Sequence, residues 1–173
     1  IDENEEQAIK TATKIIDNFQ NIYEQKWLNM MKSKLGLVGD NKDDLNLINS
    51  LLNWMEKNKA DYTNTFCYLM NIKINDQIYK DEYFVKWYNE WQKRISENNN
   101  SKEESLKLMN NVNPIIIPRN HKVEEALKAA NEDDLEVMNR LLSKLDNPYI
   151  EQKGIDDYQS PSSDESYQTF CGT

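Results

Sequence analysis

Apolar residues recur at steps of three and four through most of the chain, the spacing that gathers them on one face of an α-helix. The longest stretch predicts a helix over residues 3–34. Gly36 is expected to end it, because glycine readily takes the left-handed conformation found after helix C-termini. A second helix is predicted over 43–58, a third after the capping residue Asp61, and a fourth over 80–96.

Shorter predicted elements fill the second half of the chain. Ser101 and Glu104 have the spacing of a capping box and begin a helix that runs to about Met109. The two prolines that enclose residues 115–117 predict an extended crossing, because proline breaks a helix interior. The remaining elements are a loop over 71–79, a helix over about 120–130, and a helix that begins at 133 or 134 and ends near 145.

These elements predict an all-α fold, an irregular bundle of about six or seven helices over residues 1–146. Neither glycine nor proline interrupts residues 40–113, which favours helices over the glycine-rich turns of a doubly wound sheet. The periodicity stops after Tyr149. Residues 147–173 are therefore predicted to form an extended, polar and acidic C-terminal tail that carries Cys171.

The charge pattern excludes two classes of partner. The 173 residues carry 30 acidic and 21 basic side chains, a net charge of −9, and the acidic excess lies at the two ends. A protein that binds nucleic acid needs a basic stripe, and none is present, so neither nucleic acid nor an anionic membrane is an expected partner. No run of 18 apolar residues could cross a membrane. Two cysteines are too few for a disulfide framework, and the acidic start does not resemble a secretory signal, so a cytoplasmic location is expected.

The motifs argue against catalysis by this chain. Its four glycines are scattered, which excludes a dinucleotide-binding fingerprint and a P-loop, since both need clustered glycines. His121 is the only histidine, and neither cysteine is near it in sequence, so no zinc site is expected. We predict no catalytic residue, no cofactor site and no metal site in this chain. An autonomous enzyme centred on His121 is the weakest hypothesis.

Two groups of residues have both a functional and a structural interpretation. Trp87 and Trp91 could form a base-stacking platform or the buried face of the fourth helix, and the acidic composition favours the buried face. Arg119, Asn120 and His121 could face a ligand or a partner domain. In the structural interpretation, Asn120 caps the following helix and Arg119 pairs with a local carboxylate.

The two cysteines differ in their surroundings. Cys67 lies on an apolar face and is interpreted as a core residue. Cys171 is third from the end of the chain, where an exposed thiol could reach a distant sulfur, and it is a candidate for redox chemistry. Its acidic surroundings disfavour the thiolate, which weakens a nucleophilic role more than a disulfide role. The residues alone favour a functional role for Cys171 and an incidental occurrence equally.

Several segments resemble the C-terminal region of the SelO (selenoprotein O, or YdiU) family. The most specific are Asn113-Pro114 with residues 118–127 (PRNHKVEEAL), and Asn147-Pro148-Tyr149 with the polar tail that ends in Phe170-Cys171-Gly172-Thr173. Residues 34–37, the pair Asp43-Asp44 and residues 60–63 are similar to the same region.

The resemblance implies a parent protein with a protein-kinase-like fold that transfers AMP from ATP to protein hydroxyl groups, using Mg²⁺ or Mn²⁺. It implies that this chain is the C-terminal part, without the nucleotide- and metal-binding motifs. Its partners would be the kinase-like part of the same protein and the protein substrates of the parent. Cys171 would act in redox control, through a bond to a cysteine of the kinase-like part.

Two further expectations follow from the resemblance. Arg119, Asn120 and His121 become candidates for contact with the kinase-like part, and a sizeable apolar patch is expected where that part would cover a helix. The alternative is a free-standing helical module that presents an acidic surface to a protein partner and has no catalytic activity. A kinase-like sequence upstream in the same reading frame would support the first hypothesis, and a start codon at residue 1 the second.

Overall fold

The computed structural model describes residues 4–74, 76–97 and 101–162. Over these ranges the fold is all-α, as predicted, and contains no strand. A 3-10 helix, Gln77–Lys80, lies between the third and fourth helices. The α-helices of the described ranges are α1 (Glu5–Lys34), α2 (Asp44–Asn58), α3 (Tyr62–Leu69), α4 (Glu82–Ser96), α5 (Lys102–Val112), α6 (Asn120–Ala130), α7 (Glu136–Leu145) and α8 (Asp156–Gln159).

Gly36 ends α1, as the sequence predicts. Its φ of +65° is in the left-handed region, and the amide of the next residue, Leu37, donates to the carbonyl of Lys32 across the helix end. A side chain could not fit here either, because a Cβ at position 36 would lie 2.9 Å from the carbonyl oxygen of Ser105 on α5. The glycine therefore both turns the chain and lets α5 approach.

Two predicted caps are confirmed. The Asp61 carboxylate accepts a hydrogen bond from the amide of Asn64 at 2.8 Å and starts α3. Ser101 and Glu104 form the reciprocal bonds of a capping box at the start of α5. These caps satisfy amide groups that have no partner within the helix, so they fix where each helix begins.

The core lies where α2 packs on α4 and where α1 meets α2 and α5. Trp87 and Trp91 are each 3% exposed, so the buried-face interpretation is correct and the stacking-platform interpretation is wrong. The two rings stack at 6.1 Å, and each indole N–H donates to a backbone carbonyl, of Leu47 and Leu35 respectively. Cys67 is fully buried among the same residues, as predicted.

The structure differs from the predicted elements at several boundaries. Residues 77–80, which join the predicted loop to the predicted fourth helix, form a 3-10 helix, so α4 begins at Glu82 rather than 80. Helix α5 runs on to Val112. The start of α7 is Glu136 rather than 133 or 134, because Asp133 has a φ of +64° that no helix contains. A short helix, α8, lies within the predicted tail.

Residues 114–118 form the non-helical crossing that the prolines predict, with a bend at Ile115. The first part of the tail packs onto this crossing: the carbonyl of Pro148 accepts from the amide of Ile115 at 2.7 Å. The side-chain amide of Gln159 donates to the carbonyl of Ile115 at 3.1 Å, and the backbone carbonyl of Gln159 accepts from the side-chain amide of Asn64 at 3.2 Å. Ile155 enters the main core. The described tail, up to residue 162, is thus attached to the crossing, to α3 and to the main core.

Candidate interdomain surface

Arg119 lies just before α6, and its guanidinium points into the protein. Its two terminal nitrogens donate to the two carboxylate oxygens of Asp61, at 2.6 and 3.0 Å. The side chains of Arg119 and Asp61 are only 10% and 20% exposed. The geometry is the bidentate fork that makes an arginine–carboxylate pair strong and directional. It connects the segment before α6 to the first turn of α3.

Asp61 therefore both caps the start of α3 and pairs with Arg119. Burial acts to raise the pKa of its carboxyl group, but the hydrogen bonds from Arg119 and from the Asn64 amide outweigh burial and hold the pKa below its usual value. The Nε of Arg119 is buried without a hydrogen-bond partner among the described residues. The structural interpretation of Arg119 was correct in kind, but the carboxylate is 58 residues away rather than local.

Asn120 and His121 do not share a site with Arg119. Asn120 is the first residue of α6 and is exposed, while Arg119 occupies the N-cap position with extended backbone angles. The interpretation of Asn120 as the cap is therefore wrong. His121 is half-buried. Of the three candidates for contact with another part of the protein, Asn120 is the most accessible, and the contact itself stays a prediction.

Lys122 connects α6 to α8. Its ammonium group pairs with Glu125 at 3.1 Å and with Asp157, and it lies 5.8 Å from the centre of the Tyr158 ring. The hydrogen bond with Asp157 is the main reason why the pKa of Lys122 is raised. The Lys122 ammonium group thus lies against the tail and attaches α8 to the helix bundle.

The N-terminal two-thirds of α1 carries more exposed large apolar side chains than any other helix of the described residues. Six large side chains on this helix are each 48–70% exposed. We call them the α1 stripe: Ile9, Ile15, Ile16, Phe19, Ile22 and Tyr23. An apolar helix face of this kind is normally buried, so the stripe fulfils the expectation of an uncovered patch. The periodicity of the sequence predicts the helix that carries these residues, but their exposure depends on what lies beside them in space.

Cys67, the cysteine that lies within the described residues, does not have the surroundings of a reactive thiol. The sulfur of Cys67 lies 3.8 Å from the carbonyls of Pro114 and Ile115, and burial raises its pKa to about 12. A thiol in this state is neither a nucleophile nor a metal ligand at neutral pH. Cys171 lies outside the described residues, so its redox role stays a prediction.

A polar cleft of about 350 Å³ opens between α2 and α4. The carboxylate of Asp44 on its wall accepts two hydrogen bonds from Arg94, at 2.7 and 3.1 Å, and lies 3.6 Å from the ammonium of Lys32. The acid is thus already neutralised by side chains of the fold. The sequence did not reveal this pair, because its members are 50 positions apart and lie in different helices.

The described residues hold no group of three or more His, Cys, Asp or Glu side chains that could bind a metal ion. None of the helices in the described ranges is long and apolar enough to cross a membrane.

Comparison with known proteins agrees with a partial chain. A family model described as protein adenylyltransferase SelO matches residues 5–146. The chain is 52% identical to the protein nucleotidyltransferase YdiU of Pelagibacter ubique, covering 100% of this chain and 36% of that protein. It is 48% identical to the protein of the same name from Bacillus mycoides, covering 99% and 36%. For the Clostridium perfringens protein of that name the identity is 44%, covering 98% and 35%. The chain spans about a third of the length of these curated relatives. Because the family model matches most of its length, the chain belongs to the SelO protein adenylyltransferase family.

Proposed function

We propose that this chain is the C-terminal helical region of a protein adenylyltransferase, which transfers AMP from ATP to hydroxyl side chains of proteins. Family membership supports the general activity, and the coverage of about a third of each relative supports a region rather than a whole enzyme. The region's task is structural: it packs against a kinase-like catalytic part and holds that part in its active shape.

The α1 stripe is the observation that carries this proposal. Ile15, Ile16 and Phe19 are each at least 65% exposed on a single helix face, although the same helix is anchored in the core by Met31 and Leu35. Exposing large apolar side chains to water is unfavourable, so a surface of this size indicates a missing neighbour. The catalytic part of the same polypeptide is that neighbour.

ATP and its Mg²⁺ or Mn²⁺ belong to the catalytic part and not to this chain. A divalent ion needs several oxygen ligands, and the described residues offer no cluster of carboxylates that could supply them. A phosphate-binding loop needs clustered glycines, and the four glycines of this chain are dispersed. The described residues thus offer no carboxylate cluster for a divalent ion, and the sequence has no glycine-rich phosphate loop.

The tail adds a second element to the proposal, control by oxidation. The sulfur of Cys171 would form a disulfide with a cysteine of the catalytic part, with two electrons and two protons passing to a cellular peroxide. The attachment of the tail through Gln159 and Ile155 supports this role, because it fixes the point from which the last residues start. A cytoplasmic location is part of the same proposal, since two cysteines are too few for the disulfide framework of a secreted domain.

The test of the activity compares the full reading frame with this chain. Both are incubated with ATP labelled at the α-phosphate, a divalent cation and a protein substrate mixture. Label is expected on protein only when the full-length polypeptide is present. Transfer by the 173-residue chain alone, or no transfer by the full-length protein, would contradict the proposed function.

The test of the tail uses mass spectrometry of the full-length protein before and after a reductant. A peptide that contains Cys171 is expected to be linked to a second cysteine peptide only in the oxidised sample, and Cys171→Ser is expected to abolish the link. A Cys171 thiol that stays free after peroxide treatment would refute the redox role and leave the transferase assignment intact.

A further inference from the structure

The N-terminal part of α1 projects from an anchored end. Met31 and Leu35 are buried, and the carbonyls of Lys34 and Leu35 accept hydrogen bonds from Asn113 and Trp91 at 2.8 and 2.9 Å. From residue 9 to residue 26 every residue is exposed, a length of roughly 27 Å at the rise of an α-helix. An amphipathic helix gains most of its stability from packing, so this part of α1 needs a partner surface.

The width of the stripe indicates the shape of that partner. Between residues 8 and 23 apolar residues recur every seven positions in three series. The first holds 8, 15 and 22, the second 9, 16 and 23, and the third 12 and 19. At 100° per residue these positions span an arc of about 140°. A two-stranded coiled coil uses only two positions of seven and places charged residues beside them. The stripe is therefore too wide for pairing with the same helix of a second copy, and it fits a groove in a globular surface.

The polar residues around the stripe indicate the chemistry of the partner. Thr11 and Asn18 border one edge, Thr13 and Gln20 border the other, and none of them carries a charge. All the charged residues between positions 8 and 25 lie on the opposite face, two basic and two acidic: Lys10, Lys14, Asp17 and Glu24. A helix that binds an anionic membrane is rich in lysine and arginine, and this one is not. An apolar centre with a neutral polar border is typical of a permanent protein interface.

The exposed area is also that of an interface. Six large side chains that are each about half to two-thirds exposed present on the order of 600 Å² of apolar surface. This value approaches the roughly 800 Å² that one partner contributes to a stable protein interface. The relatives are about three times as long as this chain, so they contain enough additional polypeptide to cover it.

We infer that residues 8–23 of α1 insert into an apolar groove of the catalytic part of the same polypeptide and form the main contact between the two parts. This inference rests on the proposed function for the identity of the partner. The central contact is made by Phe19 and Tyr23, whose rings lie 6.3 Å apart, together with Ile15 and Ile16. The opposite face of the helix, with Asp17, stays in water.

Photo-cross-linking of the full-length polypeptide tests this arrangement without disrupting the fold. The photoreactive residue p-benzoylphenylalanine replaces Phe19 in one variant and Asp17, on the opposite face, in the control variant. After irradiation, the position-19 variant is expected to give a cross-link within one molecule, to a peptide outside residues 1–173. The position-17 variant is expected to give at least tenfold less of that product.

Each other outcome would overturn the inference. A product of twice the mass would assign the stripe to a second copy, and a cross-link to residues within 1–173 would assign it to another segment of this chain. Equal cross-linking from positions 17 and 19, or none from either, would show that the stripe has no dedicated groove. AMP transfer is measured on the unmodified protein, so its absence would refute the proposed function while an intramolecular cross-link would still establish the docking.

Discussion

Replacing Arg119 by methionine tests whether the Arg119–Asp61 pair holds the extended crossing to α3. Methionine keeps an apolar stem but removes both hydrogen bonds to the carboxylate, of 2.6 and 3.0 Å. Breaking a well-buried ion pair costs about 3–5 kcal/mol, because one charge is left without its partner. Asp61 keeps its bond from the Asn64 amide and is 20% exposed, so we expect a loss near about 3 kcal/mol, the lower end of that range.

Urea denaturation of the chain, followed by tryptophan fluorescence, measures this loss. At a slope of about 2 kcal/mol per molar urea, a loss of about 3 kcal/mol lowers the midpoint by about 1.5 M. The matched control is Arg140→Met, because the pair of Arg140 with Glu136 is 59% and 83% exposed and its loss should cost less than about 0.5 kcal/mol. If Arg119→Met and Arg140→Met have the same urea midpoint, the Arg119–Asp61 pair does not hold the crossing and the reasoning is refuted.

The pH dependence gives a second readout of the same pair. Because the hydrogen bonds from Arg119 and Asn64 outweigh burial, the pKa of Asp61 in the folded state is below its ordinary value of 3.8. A group whose pKa is lowered by folding stabilises the protein above the unfolded pKa, and that stability is lost as the pH falls through the folded pKa. The difference in unfolding free energy between the wild type and Arg119→Met is thus expected to be complete at pH 6 and to shrink below about pH 4. A difference that stays constant down to pH 3 would rule out Asp61 as the partner.

Three further predictions concern the helix end, the buried ionisable groups and the tail. Gly36→Ala should cost about 2 kcal/mol more in unfolding free energy than Gly39→Ala, because both have a positive φ but only position 36 lacks room for a Cβ. Burial raises the pKa values of Cys67 and Tyr79 from 9.0 and 10.0 to about 12, so the stability they contribute should be lost between about pH 9 and 12. Thermal unfolding scans over pH 8–11 measure this loss of stability, and Cys67→Ala should make the fall of the melting temperature with pH less steep. Gln159→Ala removes the bond to the Ile115 carbonyl and should speed hydrogen exchange of residues 155–160 at least tenfold, leaving α2 and α4 unchanged.

The helices themselves could be predicted because their signals are local. A capping box at Ser101, a capping carboxylate at Asp61 and a glycine at 36 each act within a few residues, and the sequence shows them directly. The short helix α8 escaped prediction for the same reason. Four residues are too few for a periodic pattern, and Ile155 and Gln159 are recognisable as anchors only when the crossing at Ile115 lies beside them.

The candidate surface was less predictable, because it depends on residues far apart in the chain. The motif predicts Arg119 as a contact residue, yet its side chain turns inward to a carboxylate 58 positions earlier. The apolar pattern on α1 correctly predicts an apolar helix face. The same periodicity would result whether other residues bury that face or leave it exposed. Only the structure shows that residues near Phe19 remain exposed while Met31, on the same helix, is buried.

Hydrogen exchange in the full-length polypeptide tests the docking of α1 most directly. Peptides over residues 8–24 are compared with peptides over 28–35 of the same helix, where Met31 and Leu35 are already buried within this chain. If α1 lies in a groove of the catalytic part, both sets should exchange at similarly slow rates, at least a hundredfold slower than an unstructured peptide. Fast exchange over 8–24 with slow exchange over 28–35 would show that the stripe stays uncovered, and it would contradict the account.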